Sequence, residues 1–530
     1  MSNELPAGWV LAQIPDLIGP RGIFTDGDWV ESKDQDPNGD VRLVQLADIG
    51  DGRYINKSRR FLTKSAAARL GCTFLSQGDV LVARMPDPLG RACIFPGDEK
   101  KSVTVVDVCV VRGEVDHVDH RWLMHFINSP ALRAKIDALQ SGSTRKRISR
   151  GNLSTIPLPI PPRSEQTRIA EKLEELLSDL DAGVAELKAA QRKLTQYRQS
   201  LLKAAVEGAL TADWRAARAA SGEPHETGAD LLQRILTERR ARWAAKQLAK
   251  FAEQDKTSPK DWQTKYSDPV APDVPDLPAL PNGWVWASIE QISADERYSL
   301  AIGPFGSNLT VADYRENGVP LVFVRNIRSR RYGGAETRFV TEEKAETLKA
   351  HQVNAGDVLV TKMGEPPGDA DVYPNDQPMA VITADCIKIR CQDRLMLAQF
   401  LAAAVNSPIG RKQIGPMTQG VAQKKVSLGR FSSLAIPLPP IDEQAQVVDR
   451  LLASLIEADA QDRVFELGLR QSAAQRKNIL KAAFAGQLVP QDPNDEPASE
   501  LLARIRAARK VKESGESTSS KRGRKARESA

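Results

Sequence analysis

Long apolar runs are missing from this chain, and with them any stretch of 18 residues that suggests a membrane span. The opening residues, MSNELPAGW, lack a charged-then-apolar leader. Both absences lead to the expectation of a cytoplasmic protein. Cysteine is scarce. The five (Cys72, Cys93, Cys109, Cys386, Cys391) are odd in number and form no CxxC pair, so free core thiols are expected rather than disulfides or zinc. Nucleotide signatures are absent too: neither G-x-x-x-x-G-K-[ST] nor G-x-G-x-x-G after a strand occurs. Gly303-Pro304-Phe305-Gly306-Ser307 is glycine-rich, but Pro304 and Phe305 deny a phosphate the run of free N–H groups it needs. The Asn/Asp-Pro-Pro-aromatic tetrad of amino-methyltransferases is also missing. No catalytic residue, bound metal or bound cofactor is therefore expected.

Two patterns speak weakly for chemistry. Pro86-Asp87 with Asp98-Glu99-Lys100 has the residue types of a metal-dependent nuclease, but the corresponding Tyr373-Pro374-Asn375-Asp376 has no such lysine. A stand-alone nuclease or methyltransferase is thus the rival reading. His117, His120 and His125 have no histidine counterparts later in the chain, and surface histidines are expected.

What is present in quantity is helix. From Ser164 to Gly208, apolar residues recur at Ile169, Leu173, Leu176, Leu180, Leu187, Leu194, Tyr197 and Leu201, the 4–3 spacing of a coiled-coil seam. Ser164 suits an N-cap and Gly208 a left-handed C-terminal position. Such a helix is roughly 65 Å long and needs a long partner. The partner lies about 278 residues on, from Asp442 to Gly486, with a poorer seam of Val448, Leu451, Leu455, Ala458, Phe465, Leu469 and Ile479. Asp462 and Ser472 interrupt it.

The helices belong to a larger internal repeat. LPAGWV at Leu5 returns as LPNGWV at Leu280, GDVLV at Gly78 as Gly356, Asn128-Ser129-Pro130 as Asn406-Ser407-Pro408, and IPLP at Ile156 as Ile436. The expected fold class is α/β (mixed α+β): two globular domains, each followed by a long helix, with the two helices packing on each other. Expected strands are Arg42 to Leu46, Val80 to Ala83 and Val103 to Val111, with counterparts Leu321 to Val324, Val358 to Thr361 and Ala380 to Ile389. A helical stretch from His120 to Gln140 follows. The boundaries read as 1–162, first globular domain; 163–255, long helix and extension; 256–281, proline-rich linker; 282–441, second globular domain; 442–508, second long helix and extension; 509–530, disordered basic tail.

Net charge is +6, and from Arg509 onward eight Lys/Arg against three Asp/Glu leave +5, so the remainder is nearly neutral. A nucleic-acid surface must then be a local patch. Basic groups do recur at equivalent places. Arg145-Lys146-Arg147 aligns with Gln423-Lys424-Lys425, each in a small polar loop before the long helix. Earlier loops carry Lys57, Arg59 and Arg60 in one domain and Arg325, Asn326, Arg328, Arg330 and Arg331 in the other. Lys and Arg bind phosphates, while Arg and Asn can also read base edges.

Asn-Ser-Pro, a basic loop, then IPLP and Glu-Gln opening a long helix, all occurring twice, resembles the specificity subunit of Type I restriction–modification systems. The likeness runs from Leu5 to about Arg509. It implies two target recognition domains on double-stranded DNA, each reading one half of a split site. It also implies that the paired helices form an antiparallel coiled coil that acts as spacer, through Leu173, Leu176, Leu180, Leu187, Leu194 and Leu201 against Leu451, Leu455, Phe465, Leu469 and Ile479. Two methyltransferase subunits and the restriction/translocase subunits would be partners, and S-adenosylmethionine, ATP and Mg2+ would be used by those partners. Because 27–52 and 302–327 are hardly alike in side chains, the expected target is asymmetric. The helical extensions beginning Asp230-Leu231-Leu232 and Glu500-Leu501-Leu502 are expected to dock a partner.

Overall fold

In this computed structural model the described residues are 5–86, 88–142, 145–255, 257–274, 276–328, 332–333, 337–392, 394–420 and 424–527, with side chains described as far as Lys512. The chain divides into two compact units, 1–188 with 466–530, and 189–465. Each holds one globular repeat, parts of both long helices, and one helical extension.

The repeat follows one plan in both units. In the first, a four-stranded antiparallel sheet has the order Ile23–Asp26, Val108–Arg112, Val80–Ala83, Ala92–Ile94. A three-stranded sheet, Phe61–Leu62, Val41–Val44, Lys101–Thr104, lies beside it in the chain path. The second unit repeats the larger sheet as Leu300–Ile302, Cys386–Ile389, Val358–Thr361, Ala370–Val372. Its other sheet gains a strand: Phe339–Val340, Val319–Val322, Ala380–Ile382, Gln352–Val353.

Three expected elements split. Val103 to Val111 is not one strand, because the chain bends at Val105-Val106-Asp107 and passes from one sheet to the other. Ala380 to Ile389 divides in the same way. His120 to Gln140 is two helices, His120–Ile127 and Pro130–Ala138, because Ser129 caps a new helix whose first residue is proline.

The repeated motifs are the joints of this fold. The Asn128 amide both accepts from Ala92 N (2.9 Å) and donates to Ala92 O (2.8 Å), clamping the edge strand of the larger sheet. Asn406 does the same to Ala370, at 3.1 and 2.7 Å. Alanine at Asn406 takes the side-chain partner from both the N–H and the carbonyl of Ala370, whereas alanine at Asn128 takes it from the Ala92 N–H, the Ala92 carbonyl still accepting from Gly52 N–H (2.9 Å). Each substitution is expected to cost about 2–3 kcal/mol, read as a lowered thermal transition. Trp9 donates its indole N–H to Glu165 (2.9 Å), as Trp284 does to Glu443 (2.8 Å). Gln166 and Gln444 each accept from a backbone N–H (Asp119, Leu397) and donate to the carbonyl of the proline five residues earlier. The Gly-Trp and Glu-Gln motifs, about 155 residues apart, are thus one contact made twice.

The long helices span Arg163–Val206 and Ile441–Ala483. The first starts a residue before the expected cap, and Ser164 instead donates to Asp495. Gly208 and Gly486 take the left-handed conformation that ends both (φ +71° and +70°). Within each unit the two helices run antiparallel. In the first, Asp181 pairs with Arg476 and Leu187 packs on Gly468. In the second, Gln191 meets Asp462 and Arg198 meets Asp459. Ile169, Leu173, Leu194, Leu201 and Leu451 are buried seam residues. Leu176, Leu180, Leu187, Leu455, Phe465, Leu469 and Ile479 are half-buried. Tyr197 is not in the seam: it is exposed, and Arg198 beside it turns inward to hold Asp459, Asp462 and the Ala458 carbonyl. Asp462, an interruption by sequence, is therefore a satisfied polar layer.

The extensions are occupied by this chain itself. Helix Gly228–Glu253 buries Leu231 and Ile235 in the second unit, and its Gly228 N–H donates to the Gly283 carbonyl (2.6 Å). Helix Ala498–Arg527 buries Leu501, Leu502 and Ile505 in the first, with Ala498 N–H on the Gly8 carbonyl (2.9 Å). The same leucines expected to dock a partner thus form core against the Gly-Trp segments. The backbone is helical through Arg527 where a disordered tail is expected from 509, and Arg509 anchors that stretch on the carbonyls of Pro15 and Ile18. The proline-rich linker is pinned as well: Trp262 stacks on Trp243, with ring centroids 5.6 Å apart, and Tyr266 meets Trp243 edge-on. All five cysteines are free thiols.

Candidate nucleic-acid interface

The basic loop before each long helix is a hairpin of fixed register. Ser141 and Arg147 exchange two backbone hydrogen bonds of 2.9 Å. Gln419 pairs with Lys425 at the equivalent positions, 278 residues on. Both hairpins are tethered to the end of an inner strand of the larger sheet, Val80–Ala83 or Val358–Thr361. Ile148 N–H donates to the Arg84 carbonyl and Val426 N–H to the Lys362 carbonyl, each 3.1 Å. Arg145, Lys146 and Arg147 are exposed and make no ion pair among the described residues. Lys424 and Lys425 are exposed too, but lie near Glu365 (3.2 Å) and Asp385 (3.6 Å). Their charge is partly met at home.

The earlier loops are attached elsewhere. Lys57, Arg59 and Arg60 are exposed on the segment leading into strand Phe61–Leu62 of the smaller sheet. Arg59 donates to Asn56 and Arg60 to Gln35. In the second repeat the equivalent segment leads into Phe339–Val340, and Arg338, overlooked in the sequence, matches Arg60. The Arg60 carbonyl accepts from Leu43 N–H and the Arg338 carbonyl from Leu321 N–H. Arg330, Arg331 and Gln423 lie outside the described residues.

Arg325 is exposed, with its guanidinium 4.2 Å from the Phe323 ring centre. Arg328 reaches the Gly364 segment, where the Lys424 carbonyl also lies, so these two residues come together. Asn326 is a correction. Its side chain is buried and accepts from Phe323 N–H (2.8 Å), holding the turn as Asp48 does for Gln45 N–H (2.8 Å). It builds the loop from within.

The other candidates are engaged in the fold. Lys100 donates to the Gly39 carbonyl and lies over the Phe61 ring, while Asp98 accepts from the buried Arg42 (3.0 Å). Asp87 lies outside the described residues. The histidines are not surface groups. His117 is buried, His120 accepts from Gly113 N–H, and burial pushes His125 down to about 4. Among the described residues no group of three or more His, Cys, Asp or Glu could hold a metal ion. No described helix is long and apolar enough to cross a membrane.

Comparison with known proteins places these features in one family. Residues 22–189 and 311–456 match the Type I restriction modification DNA specificity domain. The Type I restriction enzyme EcoKI specificity subunit of Escherichia coli K12 is 24% identical over 525 residues, covering 96% of this chain and 97% of its own. The EcoBI specificity subunit of Escherichia coli is 25% identical over 410 residues, covering 76% and 74%. A solved structure described as the basis of complex assembly and conformational transition of the type I R-M system shares the fold, with TM-score 0.63 and 16% identity. It covers 92% of this chain and 100% of the other. With two copies of the matching domain, each carrying a basic hairpin on the same scaffold, the chain belongs to the Type I restriction–modification DNA specificity family.

Proposed function

We propose that this chain reads an asymmetric, two-part DNA target, one part with each recognition domain, for a complex whose chemistry resides in other subunits. The observation that carries this is the recurrence of the basic hairpin at one register, Ser141 with Arg147 and Gln419 with Lys425. A solvated loop has no reason to keep both its charge and its tether in two copies 278 residues apart. Phosphate contacts position a protein on duplex DNA, and side chains at the groove read it. The scaffold is shared while the side chains on 27–52 and 302–327 differ, which favours two unlike half-sites.

The partners in this reading are two methyltransferase subunits and the restriction/translocase subunits. S-adenosylmethionine, ATP and Mg2+ serve those partners in the cytoplasm, and this chain is non-catalytic. Its residues bind and orient the duplex, and the base to be methylated leaves the stack for a partner's site. The test is N6-methyladenine mapping across the genome, with and without this gene. Loss of one asymmetric split motif, both halves together, is the expected result. Unchanged methylation in cells that keep the partner subunits overturns the reading.

A further inference from the structure

The two reading segments, so unlike in side chains, follow one backbone path. Phe24 pairs with Val111 and Leu300 with Ile389, in matched register. The next glycine is matched as well: Gly27 N–H donates to Val108 O (2.8 Å) and Gly303 N–H to Cys386 O (3.1 Å). A Cβ on Gly27 would lie 2.3 Å from the Val105 carbonyl oxygen, and one on Gly303 would lie 2.0 Å from that of Thr383. Only glycine fits either position. Two residues past each crowded glycine stands an aromatic that the fold does not bury, Trp29 at 70% exposure and Phe305 at 58%.

Both aromatics lie on the side of the domain that carries the basic hairpin. Phe305 has the Lys362 ammonium 4.5 Å from its ring centre, and the Lys362 carbonyl tethers the hairpin of Lys424 and Lys425. In the first domain Arg84 occupies the Lys362 position. It holds Asp26, next to Gly27, at 2.7 Å and donates to the Ile148 carbonyl beside Arg147. Trp29 forms one wall of an open cleft of about 660 Å³ and donates its indole N–H to Glu31, whose charge is met by Lys33 (2.6 Å). An exposed ring near a basic loop is the arrangement by which proteins stack on an unstacked base.

We infer that Trp29 and Phe305 are equivalent DNA-contacting residues, each stacking on a base unstacked within its own half-site. This rests on the DNA-reading function proposed above and adds the contact by which each domain senses local opening of the duplex. Stacking is nonionic, so its signature differs from that of the hairpins. Trp29→Ala and Phe305→Ala in the full-length chain should each weaken binding about 10- to 100-fold. The probe is a duplex carrying the motif lost from the methylome on gene deletion. The dependence of affinity on salt should stay as in the unaltered protein. Trp29→Phe and Phe305→Trp should restore most of the affinity, and a 2-aminopurine scan of the duplex should lose one fluorescent position per alanine variant. Alanine variants that bind the probe like the unaltered protein, or that change the salt dependence, overturn the inference and leave the DNA reading standing. If the unaltered protein cannot tell the probe from a scrambled duplex, the DNA reading falls, and this inference with it.

Discussion

Replacing Arg145, Lys146 and Arg147 together with alanine is expected to weaken DNA binding by about 10²-fold at 0.15 M salt and hardly at all near 1 M. Each phosphate contact releases counterions and contributes about 0.9 to the slope of log affinity against log salt. Three lost contacts flatten the slope by about 2.7, which over the interval from 1 M to 0.15 M is a little more than two decades. All three side chains are exposed, so the fold should be untouched. Lys424 and Lys425 provide the contrast. Each already lies near a carboxylate, Glu365 or Asp385, and must exchange that neighbour for a phosphate. Their double alanine variant should flatten the slope by clearly less than two. The measurement is a salt titration of binding by fluorescence anisotropy. An unchanged slope in the triple variant would remove the first hairpin from the interface.

Most of the architecture was legible because the repeat shows itself twice. Gly-Trp, Asn-Ser-Pro and Glu-Gln recur at nearly one offset, and each proves to be a joint whose geometry needs those side chains: the Trp9–Glu165 contact, the Asn128 clamp, the Gln166 bridge. Period alone did not reveal where strands break, since Val103 to Val111 is largely apolar and the bend at Val105-Val106-Asp107 carries neither glycine nor proline. The helical extensions misled for a related reason. An amphipathic helix announces that it will be covered but not by what, and here this chain's own Gly-Trp segments cover it. Among the basic residues, charge and recurrence found the hairpins. Asn326 failed because a polar residue in a loop serves the backbone as readily as a ligand. Arg338 was missed because alignment to Arg60 becomes visible only through the shared strand register.

Glu443→Gln and Glu165→Gln, the same substitution at equivalent positions, should differ sharply in effect. Both carboxylates are buried and accept an indole N–H. Around Glu443 the remaining capacity is filled by the Thr211 hydroxyl (2.6 Å) and the Arg215 guanidinium (2.5 Å). At the matching positions after the second long helix stand Val489 and Pro493, which can supply neither. Glu165 Oε1 is accordingly buried with no hydrogen-bond partner among the described residues, and burial raises the Glu165 pKa above its usual range. Glu443→Gln takes the countercharge from the largely buried Arg215 and should cost about 3 kcal/mol. That is a fall of about 6–12 °C in the transition of its unit. Glu165→Gln removes a charge that holds the Trp9 indole by a hydrogen bond and feels Arg168 only through space, and should shift stability by less than about 1 kcal/mol at neutral pH. The sign with pH follows from linkage. A carboxyl whose folded pKa is raised binds its proton more readily folded than unfolded, so its contribution to stability falls as pH rises through that window. The Glu165→Gln variant should lose this dependence just above pH 4.5, where the unaltered protein retains it. Calorimetry of both variants from pH 4 to 8 decides the matter. Equal losses at neutral pH would show that the orphaned oxygen of Glu165 has a partner after all.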